Sequence, residues 1–175
     1  GETGMHPHKE IDVISIMVEG SVSHAGSLKH GQSLSEGNVQ VQRAGGEGFS
    51  HNEINPDNKA NQMIQLWVLP DESGEKADYK VYQPTLGELT HVYGGAKKLS
   101  GSQSNTMYSE TSISMVNATA GQTFKHQGKV MAYISRGSVI ANGKKISART
   151  LLRDKKSLEI TVEDDAQIIF IYATN

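Results

Sequence analysis

The sequence predicts an all-β protein made of two small β-barrels in tandem. Short runs of β-branched or alternating residues recur along the chain, and clusters of Gly, Pro, Asn and Asp separate them. No segment combines helical periodicity with helix caps. Many short strands at regular spacing are typical of a sandwich or barrel. The second half of the chain shows the same pattern of short strands and turns as the first.

The composition is that of an ordinary globular protein, with 36% hydrophobic and 21% charged residues in a chain of 175. The net charge is -2 and the basic residues are scattered, so the sequence contains no basic patch of the kind that binds nucleic acid directly. No apolar run is long enough to span a membrane. The absence of cysteine excludes a disulfide framework, a thiolate zinc site and a cysteine nucleophile. Because no signal-peptide pattern opens the sequence, we expect a cytoplasmic location.

The first half contains a strand that is rich in β-branched residues and ends at Gly20. Its strand segments are residues 11–19, 21–24, 39–42 and 63–69. If the first strand runs back unbroken to His6, then His6 and His8 share a face with Ile14 and Ile16, because alternate residues of a strand point the same way. That parity places the two histidines at the mouth of an apolar interior.

The second half begins after a polar connection. We predict domains at residues 1–83 and 106–175, with residues 84–105 between them. The polar stretch before residue 105 contains short strand candidates at residues 79–82 and 88–93. In the second half, strand segments are predicted at residues 111–119, 129–135, 138–141, 157–162 and 167–172. Asn142-Gly143 is the strongest two-residue hairpin signal in the chain, and turns are also expected at Arg136-Gly137 and Glu163–Asp165.

Two pairs of candidate metal ligands stand out in the first half. His6-Pro7-His8 and His51-Asn52-Glu53 each have strand spacing, so each pair presents two ligands on one side. Two such strands facing each other would gather three imidazoles and one carboxylate. This set suits a first-row transition metal, with iron(II) a plausible occupant, and it leaves positions open for water, dioxygen or substrate. The alternative is a pair of solvated strand ends that happen to contain histidine.

Three segments resemble motifs of the pirin family, a branch of the cupin superfamily. They are GETGMHPHKEIDVISIMVEG, GNVQVQRAGGEGFSHNEINP and QLWVLP with the acidic turn that follows it. The resemblance covers residues 1–83 and implies a bicupin of two jelly-roll barrels. It also implies a metal ion held by His6, His8, His51 and Glu53, most often Fe(II), with Mn, Ni or Zn as alternatives.

The resemblance implies two kinds of function. Some pirins are similar to quercetin 2,3-dioxygenases, in which Glu53 would be the catalytic base and Ile14, Ile16 and Trp67 would line or support a slot for the flavonol. Others resemble iron-dependent regulators that bind a protein partner according to the redox state of the metal. A short form that holds no metal and has no activity is a third alternative.

Two departures from the family pattern affect these expectations. Asp12 stands where family members usually carry Glu, at a position that is not a ligand. The stretch that supplies the first barrel's usual N-terminal strands is also missing, so we expect an open barrel whose exposed strand edge could support dimerisation. No metal site is expected in the second barrel. His24, His30 and His91 lie in or beside predicted turns and are expected to face solvent.

Overall fold

The computed structural model describes residues 1–28, 31–56, 59–97 and 105–174, and its regular structure is all β-strand. The strands are β1 (His6–His8), β2 (Asp12–Glu19), β3 (Val22–Gly26), β4 (Gln32–Leu34), β5 (Val39–Arg43), β6 (Phe49–Ile54), β7 (Gln62–Val68), β8 (Asp78–Tyr82), β9 (Thr90–Gly95), β10 (Ser109–Ala118), β11 (Thr123–Gln127), β12 (Val130–Ala141), β13 (Lys144–Ser147), β14 (Thr150–Asp154) and β15 (Ser157–Ala173). The all-β prediction is confirmed. Within the described ranges, no helix is long and apolar enough to cross a membrane.

The chain divides into two compact units, Gly1–Gln83 and Pro84–Asn175. The first unit has two four-stranded sheets, with strand orders β1-β6-β3-β4 and β7-β2-β5-β8. The second unit has one sheet of order β13-β12-β15-β10-β9, in which β11 also pairs with β15 and β14 with β12. The segment 84–105, which the sequence suggests as a connection, contributes β9 to this second sheet.

The condition that the first strand runs back unbroken to His6 is not met. Glu10 adopts a left-handed φ of 52° between β1 and β2, and the two strands lie in different sheets because β1 pairs with β6 while β2 lies between β5 and β7. Ile14 and Ile16 therefore share no face with the histidines. They lie on the face of β2 opposite Ser15, whose hydroxyl accepts a hydrogen bond from Gln65 beside the site.

Among the described residues of the first unit, two small apolar clusters have polar side chains between them. One cluster contains Val13, Ala44 and Phe49, and the other contains Met17, Val22 and Leu34. Strand β2 contributes Val13 to the first cluster and Met17 to the second, so the buried Ser15 lies between them. The predicted site residues occupy this middle layer.

In the second unit, β12 and β15 are longer than predicted. Turns expected at Arg136-Gly137 and Glu163–Asp165 are wrong, because both segments continue as strand and pair with each other through several register shifts. Asp164 accepts a hydrogen bond from Ser138 at 2.7 Å within this irregular stretch. The Asn142-Gly143 hairpin is confirmed, with φ values of 46° and 80° between β12 and β13.

Candidate metal centre

Strands β1 and β6 bring the two histidine motifs together as antiparallel neighbours in one sheet, with His6 directly opposite His51. Residues before β1 are bonded to the same strand: the Thr3 amide donates to the Glu53 carbonyl at 3.1 Å, and the Gly4 amide donates to Asn52 Oδ1 at 2.9 Å. These bonds fix the register of a short strand that has only one neighbour in its sheet.

Three imidazoles converge between the two motifs. His51 Nε2 lies 2.6 Å from His6 Nε2 and 3.1 Å from His8 Nε2, and one nitrogen from each ring falls within 4.8 Å of the other two. Two nitrogens that bind one ion at about 2.1 Å each lie at most about 4.2 Å apart. Both separations from His51 lie below this limit, so His51 is close enough to share an ion with His6 and with His8.

The ring orientation of His6 is set by a backbone contact. Its Nδ1 lies 2.7 Å from the Gly4 carbonyl oxygen, which can only accept, so Nδ1 carries the proton. In the neutral ring Nε2 then has a free lone pair directed at the other histidines. His51 Nδ1 is buried without a hydrogen-bond partner among the described residues, and ring contacts with Phe49, His6 and His8 surround it.

The site disfavours protonated histidine. Burial lowers the pKa of His51 to about 3, with further lowering by charges on His6, His8 and His24. Burial, followed by the charge of His6, also lowers the pKa of His8. Both rings are therefore neutral at physiological pH, which is the state in which imidazole binds a metal.

Glu53 lies beside the three imidazoles in the same buried layer. Its carboxylate accepts hydrogen bonds from Gln65 Nε2 at 3.1 and 3.3 Å, linking β6 to β7 of the opposite sheet. Burial raises the pKa of Glu53, while the His6 charge and the Gln65 bond partly oppose this. The cluster of ligand atoms within 4.8 Å comprises only the three histidines among the described residues.

The structure places a further, fully buried histidine beside the cluster, and sequence reasoning missed it. His24 is 2% exposed, so the prediction that it faces solvent is wrong. It lies opposite Glu53 in the β3–β6 pairing, its Nε2 accepts from Gln42 Nε2 at 3.3 Å, and its ring centroid is 5.5 Å from that of His51. The alternation of Val22 with His24 is the signal that could have placed both on an inward face. His91 is exposed as expected, and His30 lies outside the described residues.

Other polar side chains extend this layer. Tyr79 donates from its hydroxyl to Gln40 Oε1 at 2.7 Å, and its ring centroid is 5.4 Å from that of His24. Gln40 Nε2 and Gln42 Oε1 are buried without partners among the described residues. Buried polar groups of this kind are costly unless they serve binding or catalysis.

Trp67, the single tryptophan of the chain, marks the open side of the site. Its ring meets that of His8 edge-to-face at 5.4 Å, yet the residue is 61% exposed. Leu69 and Met5, next to β7 and β1 in sequence, are also exposed apolar side chains. An aromatic molecule could therefore contact Trp67 while approaching the histidines.

The first unit is thus a small all-β unit of two sheets with a histidine cluster between them, an arrangement that fits the cupin-type fold. The sequence profile described as Pirin matches residues 1–68. The N-terminal part of the chain therefore matches the pirin profile, which confirms the resemblance.

Similar proteins extend the likeness beyond the first unit. The chain is 25% identical over 179 residues to a quercetin 2,3-dioxygenase of Escherichia coli K12, covering 95% of this chain and 74% of that protein. It is 24% identical to a pirin-like protein of Caulobacter vibrioides, covering 96% and 75%. The crystal structure of the bacterial pirin YhhW of Escherichia coli with nickel(II) superposes with a TM-score of 0.79 at 23% identity, covering 98% and 76%. The bicupin fold prediction is confirmed.

Proposed function

We propose that the first unit binds one transition-metal ion through His6, His8 and His51, with Glu53 as the fourth ligand. The convergence of three imidazole nitrogens carries this proposal. Nitrogen and carboxylate donors suit Fe(II), which we favour, and also Mn, Ni and Zn.

We further propose that the chain opens flavonols such as quercetin with dioxygen, as the name of its Escherichia coli relative suggests. When bound, the metal would supply the Lewis acidity and electron transfer that dioxygen chemistry requires. Glu53 would accept the proton of the substrate's 3-hydroxyl group. Burial raises the pKa of Glu53 and so makes its carboxylate a stronger base, and the two Gln65 bonds hold that carboxylate in place.

Trp67 supports an aromatic substrate. Its exposed ring provides an apolar face at the side of His8, so a flat flavonol could stack there while its oxygens reach the histidine cluster. The polar layer behind the cluster offers hydrogen-bonding groups for a hydroxylated ring.

Metal binding is tested first, by elemental analysis of protein purified without chelator or histidine tag, and by quenching of Trp67 fluorescence as Ni(II) or anaerobic Fe(II) is added. Because Trp67 contacts His8, a bound ion should reduce its emission with a stoichiometry near one. His51→Ala should abolish the quenching, whereas His126→Ala, in the second unit, should leave it unchanged. Equal metal retention by wild type and His51→Ala contradicts the site.

Turnover is tested separately, by quercetin loss together with oxygen uptake in metal-loaded protein. Glu53→Gln should reduce the rate strongly even where metal content is restored. Full metal occupancy with no turnover of any flavonol would favour the regulatory alternative. Recovery of a protein partner from the source cell in only one redox state of the metal would support that alternative directly.

A further inference from the structure

A cavity of about 610 Å³ lies at one end of the sheet of the second unit. Its walls come from the start of β10 and β12 and the end of β14 and β15. Pockets for small organic molecules usually measure about 300–1,000 Å³. All residues that line the cavity belong to Pro84–Asn175, so the cavity shares no residue with the histidine cluster.

The floor of the cavity is apolar. Met131, Ile171 and Ala173 contribute aliphatic surface, with Val130 beside them. The Tyr172 ring is engaged elsewhere, because its centroid lies 4.8 Å from that of His126 and its hydroxyl is bonded to Ser114 Oγ at 2.8 Å. This floor suits a flat apolar body.

The rim carries three basic side chains, Lys129, Arg153 and Lys155. The described residues give none of them an ion-pair partner. Two acidic residues also line the cavity, Glu110 and Asp154.

Asp154, next to Arg153, uses its carboxylate to stabilise a turn. Asp154 Oδ1 accepts from the amides of Lys156 and Ser157 at 2.8 and 2.9 Å, and Oδ2 accepts from Asn142 at 3.2 Å. These bonds, those from the backbone amides first, lower the pKa of Asp154, so its carboxylate stays charged. The lining carries three positive and two negative side chains, a net charge of +1.

The charge of the whole unit has the same sign. Residues 84–175 contain 11 Lys and Arg against 7 Asp and Glu, a net charge of +4, whereas residues 1–83 contain 6 against 12, a net charge of -6. The summed field of the second unit therefore attracts anions to a cavity whose own rim is basic.

We propose that this cavity is a second binding site, specific for a small amphipathic anion with a flat aromatic body and one carboxylate. The aromatic body would lie on the apolar floor, and the carboxylate would pair with Arg153, whose planar guanidinium can bind it in bidentate fashion, assisted by Lys155. The site requires neither the histidine cluster nor a metal.

Calorimetric titration with two probes of equal size tests this proposal: 1-naphthoate, which is anionic, and 1-naphthalenemethanol, which is neutral. Wild type should bind 1-naphthoate with a stoichiometry near one and at least tenfold more tightly than the alcohol. The double variant Arg153→Gln/Lys155→Gln should lose that preference, and the matched control Lys144→Gln, an exposed cation outside the cavity, should keep it. Ala173→Phe, which fills the floor from an exposed position, should weaken both probes.

The outcomes separate this site from the metal centre. His51→Ala should leave 1-naphthoate binding unchanged even if it abolishes metal binding. Equal affinity of wild type for the two probes, or unchanged preference in the double variant, overturns the proposal. Binding lost in His51→Ala but retained in the double variant would also overturn it, by locating the ligand in the first unit.

Discussion

At the scale of single residues, the main property of the histidine cluster is that His8 and His51 resist protonation. The Nε2 atoms of His6 and His8 both lie within hydrogen-bonding distance of His51 Nε2, so a positive charge on either ring raises the energy of charging His51. Burial is the largest cause of the lowered pKa of His51, and the charges of its neighbours add to it. His51 therefore stays neutral and keeps a lone pair for a metal ion.

We expect the metal-free protein to lose stability as pH falls. The pKa of His51 is about 3 in the folded chain against an ordinary value of 6.5, so between these values the unfolded chain binds a proton that the folded chain does not. Stability contributed by neutral His51 is therefore complete above pH 6.5 and declines toward pH 3. The raised pKa of Glu53 has the opposite sign and reduces the slope.

Urea unfolding of EDTA-treated protein, followed by Trp67 fluorescence at pH 7.5 and 5.0, measures this effect. Wild type should have the lower midpoint at pH 5.0. His51→Gln should show a smaller difference between the two pH values, because it removes the titrating group. A midpoint in wild type that does not change with pH would contradict the prediction.

At the scale of elements, glycine conformation determines how β12 bends. Gly137 and Gly143 have φ values of 81° and 80°, but a Cβ at Gly137 would lie 2.1 Å from the Asp165 carbonyl oxygen, whereas one at Gly143 meets nothing within 4 Å. Gly143→Ala should cost about 1–2 kcal/mol from the left-handed backbone alone. Gly137→Ala should cost clearly more, because β15 must also move.

Thermal or urea unfolding of the two alanine variants, monitored by circular dichroism, checks this difference. The pair is matched in backbone conformation, so the excess cost at Gly137 reports the close approach of β12 and β15. Equal destabilisation in the two variants would mean that this approach has no energetic consequence.

Much of the metal centre could be predicted from the sequence, since the two-residue spacing of a strand places His6 with His8 and His51 with Glu53 on common faces. The polar layer could not. Gln40 and Gln42 alternate with valines and look like the solvent side of a strand, but both are fully buried against a polar interior. Nor could local sequence show that Arg136-Gly137 is a bulge, because pairing with the distant β15 decides it.

A buried ion pair joins β2 to β5. Arg43 Nη2 lies 2.8 Å from Asp12 Oδ2, and Arg43 Nε donates to the same carboxylate. Asp12→Asn should destabilise the first unit by about 3–5 kcal/mol, because it leaves the Arg43 charge buried without its partner. Lys125→Ala, which removes an exposed ion pair with Glu159, should cost less than about 1 kcal/mol.

Urea unfolding of both variants measures these costs. Trp67 fluorescence suits Asp12→Asn, and circular dichroism suits Lys125→Ala. If Asp12→Asn lowers the free energy of unfolding as little as Lys125→Ala does, the buried ion pair contributes little to stability.

At the scale of the whole molecule, the two units have different kinds of interior. The second unit has an apolar core that includes Ile134, Ile160, Ile168 and Phe170, whereas the first places a polar layer between two small apolar clusters. Burial of polar groups reduces the net stability of a small unit. The first unit therefore has the most to gain from a bound ion.

Metal binding should accordingly stabilise the first unit selectively. An ion that binds only the folded state adds about 2.7 kcal/mol when its free concentration is one hundred times the dissociation constant. Ni(II) at that concentration should raise the urea midpoint reported by Trp67, the single tryptophan, which lies in the first unit. His51→Ala should show no increase in this midpoint, because it removes Nε2 of His51, the nitrogen that lies close to both His6 and His8. A midpoint unaffected by Ni(II) in wild type, or raised equally in His51→Ala, would mean that the histidine cluster does not hold the ion.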